Sequence, residues 1–186
     1  MRIMVYPISK LWFYPLSNIF IKRVKGIENI PRNINFIVAA NHNKLIDPIY
    51  VYYPILKTLN RKLHFVSSPR WWPLLGDIIC GKWAGCIPAY DGKTYDNAKQ
   101  ILVNGELLGI FPEGNLKSLI RIPGTGVIRL AMETKTPILP IGIKSSYKPW
   151  NSYVNIGRLM YPKNNKRIKQ QLQDLIVTLY KLKNCK

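Results

Sequence analysis

Acidic residues are scarce in this chain. Nine Asp and Glu stand against 28 Lys and Arg, for a formal net charge of +19 over 186 residues. A balance so basic points to an anionic partner, whether nucleic acid, acidic membrane surface or phosphorylated ligand. Histidine is scarcer still. Only His42 and His64 are present, so acid–base chemistry has few places to reside. No HExxH pair exists, which disfavours a zinc hydrolase. The three cysteines (Cys80, Cys86 and Cys185) are an odd number without a CxxC pair. That argues against a disulfide framework and a cysteine zinc site, and it fits a reducing compartment. No metal site is expected. No helix-turn-helix signature, zinc-ligand set or RNA-binding aromatic motif is found, so nucleic acid is not the expected partner. A Gly-x-Ser-x-Gly nucleophile elbow is also missing, so nothing marks a serine nucleophile.

Long uninterrupted apolar runs are lacking as well. The N-terminal stretch MRIMVYPISKLWFYPLSNIFIKR is rich in apolar and aromatic residues, but Lys10, Pro7 and Pro15 break it. It falls short of the roughly 18 apolar residues that span a bilayer, and no small-residue cleavage site follows it. Flanked by Arg2, Lys10, Lys22, Arg23 and Lys25, it reads as an interfacial anchor. The alternative is an ordinary helix packed on the core. Residues 1–31 are therefore set apart as an N-terminal membrane-interface segment, and 32–186 as the folded domain.

What is present describes a folded domain: 47% of residues are hydrophobic and 11% aromatic. Apolar runs of strand length alternate with stretches of helical pattern. Strands are expected at Asn35–Ala40, Leu63–Ser67, Cys86–Tyr90, Leu107–Phe111, Ile138–Ile143 and Tyr153–Gly157. Helices are expected at about Pro48–Leu59, Pro73–Gly81, Thr94–Asn104, Gly126–Thr134 and Lys166–Leu182. The alternation predicts a single α/β domain with a central, largely parallel sheet flanked by helices, preceded by the apolar helical segment. In the last helix Ile168, Leu172, Leu175, Ile176 and Leu179 share a face, which suits packing on the sheet; a second basic membrane contact is the alternative.

Two short blocks carry chemistry. Asn41-His42-Asn43-Lys44-Leu45-Ile46-Asp47 follows an apolar strand and leads into a helix, the place where α/β sheets bind ligands. A His and an Asp joined by so short a turn can fold onto one another. The carboxylate then fixes the imidazole tautomer and leaves the other nitrogen as a base. Taken alone, the pair reads more readily as a loop and helix cap. The second block, Phe111-Pro112-Glu113-Gly114-Asn115, ends another apolar strand and is expected at the same sheet edge. Its backbone N–H groups could receive an oxyanion or orient an acceptor; the alternative is a simple turn.

In order and spacing these blocks resemble the glycerolipid acyltransferase family, typified by lysophosphatidate (1-acylglycerol-3-phosphate) acyltransferases. Gly26-Ile27-Glu28-Asn29-Ile30-Pro31 is similar to the segment ahead of the family's first block, and His42 with Asp47 matches its H-x4-D motif. Phe111–Gly114 matches its FPEG block, about 65 residues on. Gly126 with Arg129-Leu130-Ala131, then Pro137-Ile138-Leu139-Pro140-Ile141, match its following helix and strand.

The resemblance implies phospholipid biosynthesis at a membrane, on its cytoplasmic face. His42 would be the general base, oriented by Asp47. A hydroxyl of lysophosphatidate or a related lysolipid would attack the thioester of acyl-CoA or acyl carrier protein, without any other cofactor. Asn41, Glu113, Gly114 and Asn115 would contact the acceptor, and an anionic membrane surface would hold the protein.

Two departures bear on that acceptor. Leu116 stands where the family's FPEGTR block has its arginine, and Asp91 stands at or near the arginine of its second block. Both arginines are associated with the acceptor phosphate, and a bidentate guanidinium is not easily replaced. Lys93, Lys117 and Arg121 are close in sequence and could serve as point charges; otherwise the acceptor carries no phosphate. A membrane-binding protein that keeps the fold without turnover is the remaining alternative.

Elsewhere, His64 reads as a half-buried, hydrogen-bonded histidine, and Cys80 and Cys86 as core residues. Trp71-Trp72-Pro73-Leu74 could wall an acyl groove, touch a bilayer or pack in the core. Arg70 reads as a solvated surface residue.

Overall fold

The computed structural model describes residues 7–67, 80–81, 85–89, 92–114 and 122–185, and of residues 7–13 the backbone alone. Its elements in chain order are α1 (Pro7–Phe20), β1 (Ile21–Lys25), β2 (Ile37–Ala40), α2 (Asp47–Leu59), β3 (Leu63–Ser67) and β4 (Cys86–Pro88). There follow α3 (Thr94–Val103), β5 (Leu107–Ile110), α4 (Gly126–Glu133), β6 (Ile138–Lys144), β7 (Ser152–Ile156) and α5 (Ile168–Asn184). The seven strands form one sheet in the order β1-β7-β6-β2-β5-β3-β4. All pairs are parallel except β6 with β7. The single α/β domain with a largely parallel sheet is as the sequence predicts.

Strand β2 reads Ile-Val-Ala-Ala and is buried throughout, as a central strand covered on both faces must be. Its Val38 and Ala40 face one core with Tyr50, Ile55, Phe65 and Leu139. Ile37 and Ala39 face the other with Ile128, Leu130, Leu175 and Leu179. The period of two along the strand thus feeds both helical layers.

Several boundaries differ from the sequence reading. Helix α2 begins at Asp47 itself, with Pro48 in its first turn, where a missing N–H costs nothing. The strand expected to run to Tyr90 ends at Pro88. Strand β1 was not expected. Ile-Lys-Arg-Val-Lys lies within the span set apart as 1–31, yet it pairs in parallel with β7 and closes one edge of the sheet. Of the helix expected at Pro73–Gly81, all but residues 80–81 lie outside the described residues, as do Arg70, Trp71 and Trp72.

The second half of α1 is docked on α2. Tyr14 meets Tyr53 edge-on at 5.9 Å, the Tyr53 hydroxyl donates to Asn18 Oδ1 at 2.8 Å, and Ser17 is buried. No helix among the described residues is long and apolar enough to cross a membrane.

Helix α5 runs along β6 and is fastened at its C-terminal end. Asn155 Nδ2 donates to the carbonyls of Leu182 (2.7 Å) and Cys185 (2.8 Å). The close approach depends on Gly142. A Cβ there would stand 2.3 Å from Lys183 N and 2.4 Å from the Leu182 carbonyl carbon, backbone atoms that cannot step aside. Gly142→Ala is therefore expected to destabilise the fold by roughly 2–3 kcal/mol through overpacking, read as a lower midpoint in urea at unchanged slope.

Candidate active site

The parallel strands β2, β5, β3, β4 and β6 all point their C-terminal ends to one edge of the sheet, and the chemistry gathers there. Asn41, the first residue beyond β2, is fully buried. Its Nδ2 donates to Ile143 O at 2.9 Å, and its Oδ1 accepts from Ile143 N at 2.7 Å. The Asn41 amide continues the β2–β6 ladder by one more rung and fixes the point from which the next residue departs.

That residue is His42. Its Nδ1 lies 3.1 Å from Asp47 Oδ2. The same oxygen accepts the backbone N–H groups of Asn43 (2.6 Å) and Lys44 (2.8 Å). Asp47 thus holds the turn and the ring together, from the first turn of a helix whose dipole favours a carboxylate. Its side chain is fully buried, and its Oδ1 has no hydrogen-bond partner among the described residues. A carboxylate only accepts, so the ring nitrogen facing it carries the hydrogen and Nε2 holds the lone pair. The cap and the catalytic reading of this motif are one arrangement.

Glu113 approaches from the neighbouring strand. Its Oε2 accepts the His42 backbone N–H at 3.1 Å, and its Oε1 accepts the hydroxyl of Tyr180 on α5. Glu113 is buried and helps to fix the position of His42. Gly114 closes the turn by donating its N–H to Phe111 O at 3.0 Å. That N–H is engaged, and so are those of His42, Asn43 and Lys44, which counts against an oxyanion site built from them.

A stack of rings fixes the imidazole plane. Phe111 lies over His42 with centroids 4.1 Å apart and planes 17° apart, and Phe65 lies over Phe111 at 5.2 Å and 15°. Phe65 fits only because residue 109 is glycine. A Cβ there would come within 2.4 Å of its ring. Asp47, Glu113 and Phe111 thus restrain one side chain that is 14% exposed, the preorganisation a base needs.

The remaining expected residues are not brought together here. Lys93 is exposed just before α3 at the same edge. Its strand β4 is three places from β2, roughly 14 Å across the sheet. Asn115, Lys117 and Arg121, with Asp91 and Leu116, lie outside the described residues. His64 is paired with Glu106 at the start of β3 and β5, towards the opposite edge. Burial pulls its pKa down while Glu106 works against that, in keeping with a structural histidine. Cys80 is buried, and burial pushes the half-buried Cys86 thiol up to about 11, which leaves it protonated and inert near neutral pH. Phe65 and Tyr180 were not singled out from sequence. The only signal for Tyr180 is its place four residues after Ile176, beside the apolar stripe of α5.

A family model described as Acyltransferase matches residues 21–144. The 1-acyl-sn-glycerol-3-phosphate acyltransferase of Borreliella burgdorferi is 28% identical over 124 residues, covering 63% of this chain and 49% of that protein. An uncharacterized protein of Mycobacterium tuberculosis (strain H37Rv) is 29% identical over 154 residues, covering 71% of this chain and 41% of its own. This chain therefore spans less than half the length of either relative. The crystal structure of PlsC, the 1-acyl-sn-glycerophosphate acyltransferase from Thermotoga maritima, superposes with a TM-score of 0.69 at 22% identity. That match covers 95% of this chain and 76% of the other, and it shows a shared fold.

Proposed function

Because this chain belongs to the acyltransferase family, we propose that it transfers a fatty acyl group from acyl-CoA or acyl carrier protein to a hydroxyl of lysophosphatidate or a related lysolipid. The observation that carries this reading is the His42–Asp47 pair at the sheet edge, held from behind by Glu113. His42 Nε2 removes the proton of the acceptor hydroxyl as its oxygen attacks the thioester carbonyl carbon. Nδ1–H, bonded to Asp47, keeps the tautomer and stabilises the imidazolium that forms. Collapse of the tetrahedral intermediate breaks the C–S bond, and His42 returns the proton to the departing thiolate. No acyl-enzyme is needed.

The acceptor class turns on the cations that lie close to the two blocks in sequence. Lys93 reaches an acceptor lying across β5 and β3, and Asn115, Lys117 and Arg121 follow directly on Gly114 in the chain. Lys93, Lys117 and Arg121 take the place of the arginines replaced by Asp91 and Leu116, as point charges on the acceptor phosphate. A second reading rests on the same two replacements: an acceptor without phosphate. The net charge of +19 supports work at an anionic membrane surface, where each nearby Lys or Arg contributes about 1 kcal/mol, on the cytoplasmic face.

The test is direct. Purified protein is incubated with acyl-CoA or acylated carrier protein and a panel of lysolipids with and without phosphate, and ester formation is followed. His42-dependent product on a phosphate-bearing acceptor is expected. Product only on uncharged acceptors selects the second reading, and no His42-dependent product on any acceptor leaves a binding protein without turnover.

Tyr180 supplies a subtler check. Tyr180→Phe keeps the ring and removes the hydrogen bond to Glu113, a loss of about 1–1.5 kcal/mol. The expected result is a roughly five- to tenfold lower kcat with little change in KM, because the misplaced group is the base. A change in KM alone would show that Tyr180 instead touches substrate.

A further inference from the structure

Trp150 is the most unusual surface residue described. It sits in the connection between β6 and β7 with φ at +52°, a left-handed conformation that glycine accepts and bulky residues disfavour. Its side chain is nevertheless 69% exposed. A strained backbone that displays a large apolar ring to solvent has no account in folding, and such outliers gather where a surface does work.

Trp150 does not stand alone. Its backbone N–H donates to Ile19 O at 2.8 Å, which brings the end of α1 beside it, and Ile19 is 48% exposed. Three residues earlier, Tyr147 is 57% exposed and lies under Lys44 Nζ at 4.5 Å from its ring centre. Lys44 belongs to the His42–Asp47 turn, where its neighbour Leu45 is 65% exposed. The connection is well ordered. Ser152 Oγ accepts from Ser146 N, Ser146 Oγ accepts from Lys148 N, and Tyr50 of α2 donates to Ser146 O. Ile19, Leu45, Tyr147 and Trp150 therefore form one apolar rim on the sheet edge that carries His42. Scattered exposed apolar residues need no explanation, but a joined group at a site does.

The charge around the rim identifies what it fits. Lys44 lies over Tyr147 and Lys22 over Tyr153, Lys144 ends β6 and Lys148 follows Tyr147, and no acidic residue occurs between Lys144 and Tyr153 or between His42 and Ile46. Aromatic and aliphatic side chains among lysines match the boundary of an anionic bilayer, where rings sit at headgroup depth and ammonium groups meet phosphates. We propose that the rim formed by Ile19, Leu45, Tyr147 and Trp150, with its lysines, docks this protein on an anionic lipid surface with the His42 edge turned to the bilayer. The inference deepens the acyl-transfer reading and rests on it for its purpose: a lysolipid hydroxyl lies at that same depth, so docking brings the acceptor to His42 without taking it through water.

Vesicle flotation tests this without recourse to turnover. Wild-type protein is expected to float with phosphatidylglycerol vesicles, only weakly with phosphatidylcholine vesicles, and less in high salt. Trp150→Gly removes the ring and relieves the backbone. The affinity for phosphatidylglycerol vesicles should fall roughly tenfold while the thermal midpoint holds or rises, a combination that a merely structural tryptophan would not give. Tyr147→Ser, in a conformation any residue adopts, should also weaken binding. Both variants floating like the wild type would overturn the proposal. So would a wild-type protein that ignores both vesicles and instead associates with itself through Trp150. Docking without ester formation would remove the acyl-transfer reading and leave the docking surface; ester formation without docking would do the reverse.

Discussion

Replacing His42 by alanine is expected to lower acyl transfer by about two to four orders of magnitude while the domain stays folded. The size follows from the role. An unassisted hydroxyl must lose its proton to water as it attacks, whereas the proposed base stands ready with its ring plane fixed by Phe111. The fold should tolerate the change because His42 is bound mainly through its backbone. Its N–H remains on Glu113 Oε2, and the turn remains on Asp47 through Asn43 and Lys44. The Phe111 stack and the Asp47 hydrogen bond are lost, about 1 kcal/mol each. The measurement is kcat/KM with the best acceptor, beside a denaturation curve for the same preparation. A folded His42→Ala protein with near wild-type activity would remove the imidazole from the chemistry.

Asp47→Asn is expected to fail in both respects at once. The carboxylate oxygen Oδ2 receives three donors, and Oδ1 lies buried without a partner among the described residues. An amide nitrogen placed at Oδ2 would confront those donors, and one placed at Oδ1 would be buried without an acceptor. Either choice costs about 1–3 kcal/mol of stability. The imidazole also loses the anion that fixes its tautomer and stabilises its charged form in a site of low dielectric. Activity should fall by roughly two to four orders of magnitude even where the protein is fully folded. Activity within a few-fold of wild type, measured well below the unfolding temperature, would make Asp47 a helix and turn cap alone.

The two variants separate roles that the sequence could not. Taken alone H-x4-D reads more readily as a cap than as a catalytic pair, and in the structure one carboxylate oxygen receives both the turn N–H groups and the imidazole. Glu113 shows the opposite shift. From sequence its acceptor contact is what the family resemblance implies. In three dimensions its oxygens are taken by His42 N and Tyr180 O–H. Tyr180 lies 67 positions away on α5, and no local pattern could have joined them. The bond of Asn41 to Ile143, 102 positions distant, was beyond any local pattern as well.

Among the elements, Leu63–Ser67 was legible to both ends. Its apolar residues face the core and turn-forming residues bound it. Strand β1 was not legible. Ile-Lys-Arg-Val-Lys is half charged and follows an apolar helical stretch, so its local character is that of an anchor's basic flank. Its strand conformation is supplied by β7, more than 120 positions on, and strand preference depends on such partners more than on the residues themselves.

The sequence by itself determined the alternation of strands and helices, the single domain, the basic character and the His42–Asp47 motif at a strand end. All of these are written in short-range spacing and composition, where a few neighbouring residues carry the signal. The tertiary structure alone decided that Glu113 joins His42 to Tyr180, that Asn41 pairs with Ile143, and that Ile19, Leu45, Tyr147 and Trp150 come to one sheet edge. Each of those depends on segments far apart in the chain meeting at a sheet edge, and the strand order that brings them there is a property of the packed core as a whole.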